Sequence, residues 1–175
     1  GAINRAEIVV TPTGVAATDT AALLAAITAA DGIADVRVAG GICVINTITI
    51  SSSTTIRLDD KAILKHADAS TNHMFAVSAG VDFTLTGGTC DGNRINQTQY
   101  NRAIVRASVP AGSRLRVVDV DFTGTRAAAV IIYNLGGEFD VSHCRFEDMA
   151  EHDGVPQHAT AAVLIESGEV GARAH

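Results

Sequence analysis

Along the middle of the chain, inward-type residues come in alternating pairs, and the pairs themselves come in twos. Phe83 and Leu85 are followed, after one extra residue, by Gly88 and Cys90. The same skip recurs in Leu115, Val117, Val120 and Phe122, and again in Phe139, Val141, Cys144 and Phe146. Alternation at period two is a strand with one buried face. A single extra residue between two such strands is a bend that restores the inward phase after a corner. The copies begin at intervals of about 24 to 32 residues, which is the length of a stacked unit. Short apolar runs at 103–105, 130–132 and 163–165 follow the successive copies, and Ile56, Leu58, Met74, Phe75 and Val77 repeat the scheme more loosely.

A unit of strand, bend, strand, loop and strand cannot bury its apolar face alone, but stacked copies form a continuous core. The pattern predicts an all-β chain: a right-handed parallel β-helix (solenoid) of about five rungs. An antiparallel sandwich with coincidental spacing is the alternative. Before the rungs, 7–10 reads as a strand, Thr11-Pro12-Thr13-Gly14 as a turn, and Thr20 to Ala30 as the one helix. Thr18 and Asp19 offer N-cap oxygens, and Asp31-Gly32 ends the helix. Leu23, Leu24, Ile27 and Ala30 form its apolar stripe. Such a helix is expected to cap the open first rung, whose backbone edge and apolar stack need cover. Further strands are predicted at 36–38, 42–45, 47–50, 54–58 and 62–64, with polar loops at 65–73, 91–101 and 147–160. The organisation expected is one domain, with a capping strand and helix over 1–35 and rungs over 36–175. Because Gly1 and not Met comes first, the chain reads as processed, tagged or cut from a longer protein.

Composition narrows the function. Hydrophobic residues make up 47% of the 175 residues but aromatics only 4%, with no Trp, which suits narrow rungs and offers few platforms for sugars. The net charge of −6 is dispersed. Without a cationic stripe to neutralise phosphates, nucleic acid is set aside as a partner. No apolar run is long enough to cross a membrane, so membrane insertion is not expected, and no signal peptide is visible. Cys43, Cys90 and Cys144 read as buried free thiols, because their spacing matches no zinc pattern. No cofactor and no metal are expected.

Several motifs resemble the pectate-lyase-like superfamily of single-stranded right-handed parallel β-helices. Thr18-Asp19-Thr20-Ala21-Ala22-Leu23-Leu24-Ala25-Ala26-Ile27 is similar to its capping helix, and Val38-Ala39-Gly40-Gly41 stands where a P-x-G usually follows the next strand. Gly87-Gly88-Thr89-Cys90-Asp91-Gly92-Asn93 resembles the G-G-x-x-D-G-N turn of phage tailspikes and polygalacturonase-type hydrolases. The resemblance implies the N-terminal part of a polysaccharide-degrading protein, a glycoside hydrolase or lyase, or a tailspike depolymerase that is extracellular or virion-associated. The open strand edge and apolar stack expected after 163–165 predict a homo-oligomer, or a strand supplied by a neighbouring copy, with a trimer on the tailspike analogy. Asp153, in Glu151-His152-Asp153-Gly154, takes the place of the acid in the hydrolases' N-T-D-G; Glu151 and His152 depart from that motif. The later D-D and G-H-G elements do not occur before His175, so this chain is expected to be inactive alone.

Glycoside hydrolysis needs two carboxyl groups across the scissile bond, one of them protonated. Glu147, Asp148, Glu151 and Asp153, with His152 and His143 close in sequence, are the candidates, since crowded like charges raise one pKa. A solvated acidic loop is the competing reading of the same residues. Asp91 with Asn93 reads as turn chemistry, with Gly92 supplying the positive φ. Lys65, His66 and His73 read as solvent-facing residues at strand edges. Tyr100 and Tyr133 are the two aromatic residues left over for a sugar. A non-catalytic structural or adhesive β-helix of a virion or cell surface remains the alternative function.

Overall fold

The structure, a computed structural model, describes residues 5–98, 102–149 and 162–166. Strand β1 (Glu7–Val10) is followed by helix α1 (Ala16–Ala30). Strands then come in successive threes. They are β2 (Asp35–Val38), β3 (Gly41–Ile45) and β4 (Ile48–Ile50), then β5 (Thr54–Leu58), β6 (Ala62–His66) and β7 (Phe75–Val77). Next are β8 (Asp82–Thr86), β9 (Thr89–Asp91) and β10 (Val105–Ser108), then β11 (Arg114–Val118), β12 (Asp121–Thr125) and β13 (Val130–Tyr133). The last three are β14 (Glu138–Ser142), β15 (Arg145–Met149) and β16 (Val163–Glu166).

Strand β1 and the first member of each three form sheet A, in the order β1-β2-β5-β8-β11-β14. The second joins sheet B, from β3 to β15, and the third joins sheet C, from β4 to β16. Every pairing is parallel. A chain that visits three parallel sheets in rotation, with five strands in sheets B and C, is consistent with a parallel β-helix solenoid of five rungs.

Inside, equivalent positions of successive rungs form rows. Phe83, Leu115 and Phe139 are in register, as the alternation predicts. In sheet B the row runs Cys43, Leu64, Cys90, Phe122 and Phe146. Its Phe122 and Phe146 rings stack with centroids 5.3 Å apart. In sheet C it runs Ile48, Phe75, Val105, Val130 and Val163. Each such side chain, fully buried, stabilises by about 1.5–3 kcal/mol. The row fades at the fifth rung, where Phe139 is 43% exposed among the described residues. All three cysteines are free; Cys43 and Cys90 are buried and Cys144 partly so.

The extra residue in the repeat is the corner from sheet A to sheet B. Gly87, Asp119 and His143 occupy it in three successive rungs, with φ of 78°, 58° and 53°. One left-handed residue turns the chain sharply, and the next residue again faces inward. At the rung with the longer corner 59–61, Leu58 presses on its neighbour: a Cβ on Gly88 would lie 2.6 Å from that of Leu58. Glycine is needed there for space as well as for φ.

The cap differs from expectation in two respects. The helix begins at Ala16, and its N-cap Val15 provides no side-chain hydrogen bond. Asp19 lies inside the first turns, fully buried, and its carboxylate reaches out of the helix. Oδ1 accepts from Thr13 N and Oγ1, and Oδ2 from Gly14 N and from Val44 N in β3. The Thr20 hydroxyl accepts from Asn46 N. The helix therefore caps sheet B by pairing edge amides that have no strand beyond them, while β1 covers the edge of sheet A. The second difference is the stripe: Leu23, Ala26, Ile27 and Ala30 are buried, whereas Leu24 is 41% exposed. Ala26 replaces it on the buried face.

Candidate functional site

The corner from sheet B to sheet C carries the longest connections. It is tight at Asn46-Thr47 and widens at 67–74 and again between Asp91 and Val105. Glu147 and Asp148 stand at the same corner, near the end of β15.

These two acids do not converge. Strand β15 pairs Glu147 with Thr123 and Met149 with Thr125, so Asp148, at φ 51°, lies beside Gly124, at φ 63°, in a shared left-handed kink. Adjacent side chains then diverge. Asp148 reaches back two rungs, past Gly124, to Arg94, with Oδ1 3.0 Å from Nη2. Glu147 meets Arg145 of its own strand at 3.2 Å, and Arg145 also approaches Asp121 at 3.5 Å. The expected crowding of like charges is thus absent from this pair: each carboxylate ends on an arginine. Glu151, His152 and Asp153 lie outside the described residues. His143 is not near the acids either; it holds the corner before β15, at the opposite edge of sheet B.

The Asp91-Gly92-Asn93 turn is structural, but its chemistry is not the one expected. Asn93 and not Gly92 has the positive φ, 53°. Gly92 is needed for close approach, since a Cβ there would sit 2.7 Å from Gly124 O. Asn93 is buried and acts as a hub. Its amide N donates to Asp91 Oδ1, its Nδ2 donates to His66 O and Asp68 Oδ1, and its Oδ1 accepts from Asn96 Nδ2.

His66 and His73 are not solvent-facing. His66 is an inward residue of β6, 2% exposed, and its Nε2 has no hydrogen-bond partner. Burial pushes it down to about 4. His73 is buried before β7, and its Nδ1 accepts from Ala103 N at 2.9 Å. Burial first, then Arg106, Arg102 and His66, push it down to about 4 as well. Alternation placed His66 inward at the phase of Ala62 and Leu64, and that signal was available in the sequence. The predicted run 103–105 begins two residues early: Ala103 belongs to the corner, and β10 starts at Val105.

The outer face of sheet C holds a group that sequence spacing does not bring together. Arg106, Tyr133 and Glu166 come from β10, β13 and β16. The Arg106 guanidinium carbon lies 4.1 Å from the centre of the Tyr133 ring, and Nη2 lies 3.8 Å from Glu166 Oε2. Ser108 pairs with Tyr133 in register, and Asn134 Nδ2 donates to Ser108 Oγ at 3.2 Å. Beside them Ala103, Ala128 and Ile131 form a second apolar cluster, against which Leu164 packs. A half-buried aromatic ring with cationic, anionic and hydroxyl groups around it can hold a polar ligand that has an apolar face. Among the described residues, no group of three or more His, Cys, Asp or Glu could hold a metal ion. No described helix is long and apolar enough to cross a membrane.

No family model, curated protein or solved structure matches this chain at a significant level.

Proposed function

We propose that this chain is part of a polysaccharide-directed, right-handed β-helix of the pectate-lyase-like kind, acting outside the cell or on a virion. The observation that carries the reading is the Arg106–Tyr133–Glu166 group on the outer face of sheet C. Arg106 covers one face of the Tyr133 ring, so the groups this cluster offers a sugar are the guanidinium, the carboxylate and the hydroxyls that can pair with its hydroxyl edges. Cleavage, where it occurs, falls to Asp153 as the acid, with Glu147, Asp148, Glu151 or His152 as its partner; this chain alone is expected to lack a complete pair. A homo-oligomer, with a trimer as the first expectation, belongs to the same reading.

A second reading is favoured by one observation: Glu147 and Asp148 are both engaged by arginines. In that reading the chain is a structural or adhesive β-helix that binds glycan without cutting it.

A panel of acidic and neutral polysaccharides tests both. Calorimetry should detect binding that Tyr133→Ala and Arg106→Ala each weaken at least about tenfold, or 1.4 kcal/mol. Reducing-sugar and unsaturated-product assays on the same panel separate cleavage from adhesion. Turnover lost in Asp153→Asn assigns an enzyme; binding without turnover assigns an adhesin. Absence of binding across the panel overturns the proposal.

A further inference from the structure

Two segments of the B–C corner meet at the buried histidines. His73 Nδ1 accepts the Ala103 amide, and one residue on, Met74 N donates to Ala103 O at 3.2 Å. The residues before β7 are thereby joined to those before β10. On the neighbouring turn, His66 O accepts from the Asn93 side chain, and Gln97 Nε2 donates to Ala67 O. Both imidazoles lie where a charge has no compensation. The groups facing His73 are Arg102, Arg106 and His66, all of one sign when ionised. Asp68, two residues along from His66, is turned to Asn93 Nδ2.

We propose that His73, with the buried His66 beside it, is an acid-sensitive latch: its neutral ring ties the segment before β7 to the segment before β10, and protonation of the buried rings releases the two segments. The reason is one of donors and acceptors. A neutral imidazole has one N–H and one lone pair, whereas the cation has two N–H groups and no acceptor. Protonated His73 would set an N–H against the Ala103 N–H and lose the bond it now accepts. Protonated His66 would carry an N–H on Nε2, an atom with no partner in the core. The sign follows from the direction of the shifts. Both folded values lie near 4, below the ordinary 6.5, so the latch is at full strength above about 6.5 and weakens as pH falls from there towards 4. The arginines facing His73 add repulsion to its charged form and do not offset it. The latch lies on the same side of the solenoid as Glu147 and Asp148, and it does not depend on whether a glycan is cut there.

The test follows both rings and both segments in the unmodified chain. Imidazole NMR signals should remain those of neutral rings through the region near pH 6.5 where an ordinary histidine titrates. Hydrogen exchange, corrected for intrinsic rates, should show the Ala103 and Met74 amides losing protection at higher pH than the amides of β11. His73→Asn places a carbonyl oxygen where Nδ1 was, and should move that release at least about one pH unit lower. Titration of either ring near 6.5 overturns the latch, as does simultaneous loss of all amides or an unchanged release pH in folded His73→Asn. If that variant does not fold, the ring titration and the order of amide loss in the native chain decide the matter.

Discussion

The carboxylate of Asp19, fully buried in the capping helix, accepts the backbone N–H of Val44 at 2.9 Å. A side chain of the helix thereby takes the place of the strand missing from the edge of sheet B. The same carboxylate holds Thr13 and Gly14, so one residue joins turn, helix and first rung.

Asp19→Ala leaves several buried donors without an acceptor and is expected to cost about 3 kcal/mol, measured as a lower denaturation midpoint at unchanged m-value. Burial alone would push this carboxyl up, but the hydrogen bonds from Thr13, Val44 and Gly14 outweigh it and hold it below 3.8. Its contribution is therefore fully present above about pH 3.8 and is lost as pH falls through the lower folded value. Acid unfolding monitored in the native chain and in Asp19→Ala should show this difference narrowing below that pH.

The two leucine-type positions of the helix separate cleanly. Ile27→Asp places a charge against the first rung and is expected to cost several kcal/mol or to prevent folding. Leu24→Asp sits at an exposed position and is expected to stay within about 0.5 kcal/mol of the native chain. Thermal unfolding of the two variants side by side is the check, and equal losses would place the helix face wrongly.

The left-handed corner makes a prediction of opposite signs at one residue. Asp119 has φ 58°, which Gly adopts freely and a β-branched residue does not. Asp119→Gly should be neutral or stabilising by up to about 1 kcal/mol, and Asp119→Val should destabilise by about 1–2 kcal/mol. Chemical denaturation of both variants resolves the difference.

The Arg94–Asp148 pair spans two rungs, yet its carboxylate side chain is 55% exposed. Solvent screens such a contact, so a double-mutant cycle with Arg94→Ala and Asp148→Ala should give a coupling of about 0.5 kcal/mol. A coupling of several kcal/mol would mean that the pair is a structural staple of the corner.

Much of this was legible in the residues themselves. The skip between Leu85 and Gly88, or between Val117 and Val120, is a local signal, because one left-handed residue shifts the phase of alternation wherever it occurs. The length of the repeat then implied stacking. The candidate site was far less legible. Glu147 and Asp148 are neighbours in sequence and looked like a pair, but the kink beside Gly124 sends them to different arginines. Arg106, Tyr133 and Glu166 showed no pattern, because their contact depends on which rung lies above which.

The sequence by itself determined the strands, the corners, the capping helix and the inward rows, since each follows from alternation, backbone conformation and apolar content within a few residues. Only the tertiary structure decided that Leu24 faces outward, that His73 is buried, that Asp19 serves a strand 25 residues away, and that Arg106 lies over Tyr133. The physical reason is that connections of unequal length separate the rungs. Contacts between rungs are set by strand register, and register between parallel strands is written in the packing of whole rows and in no single spacing along the chain.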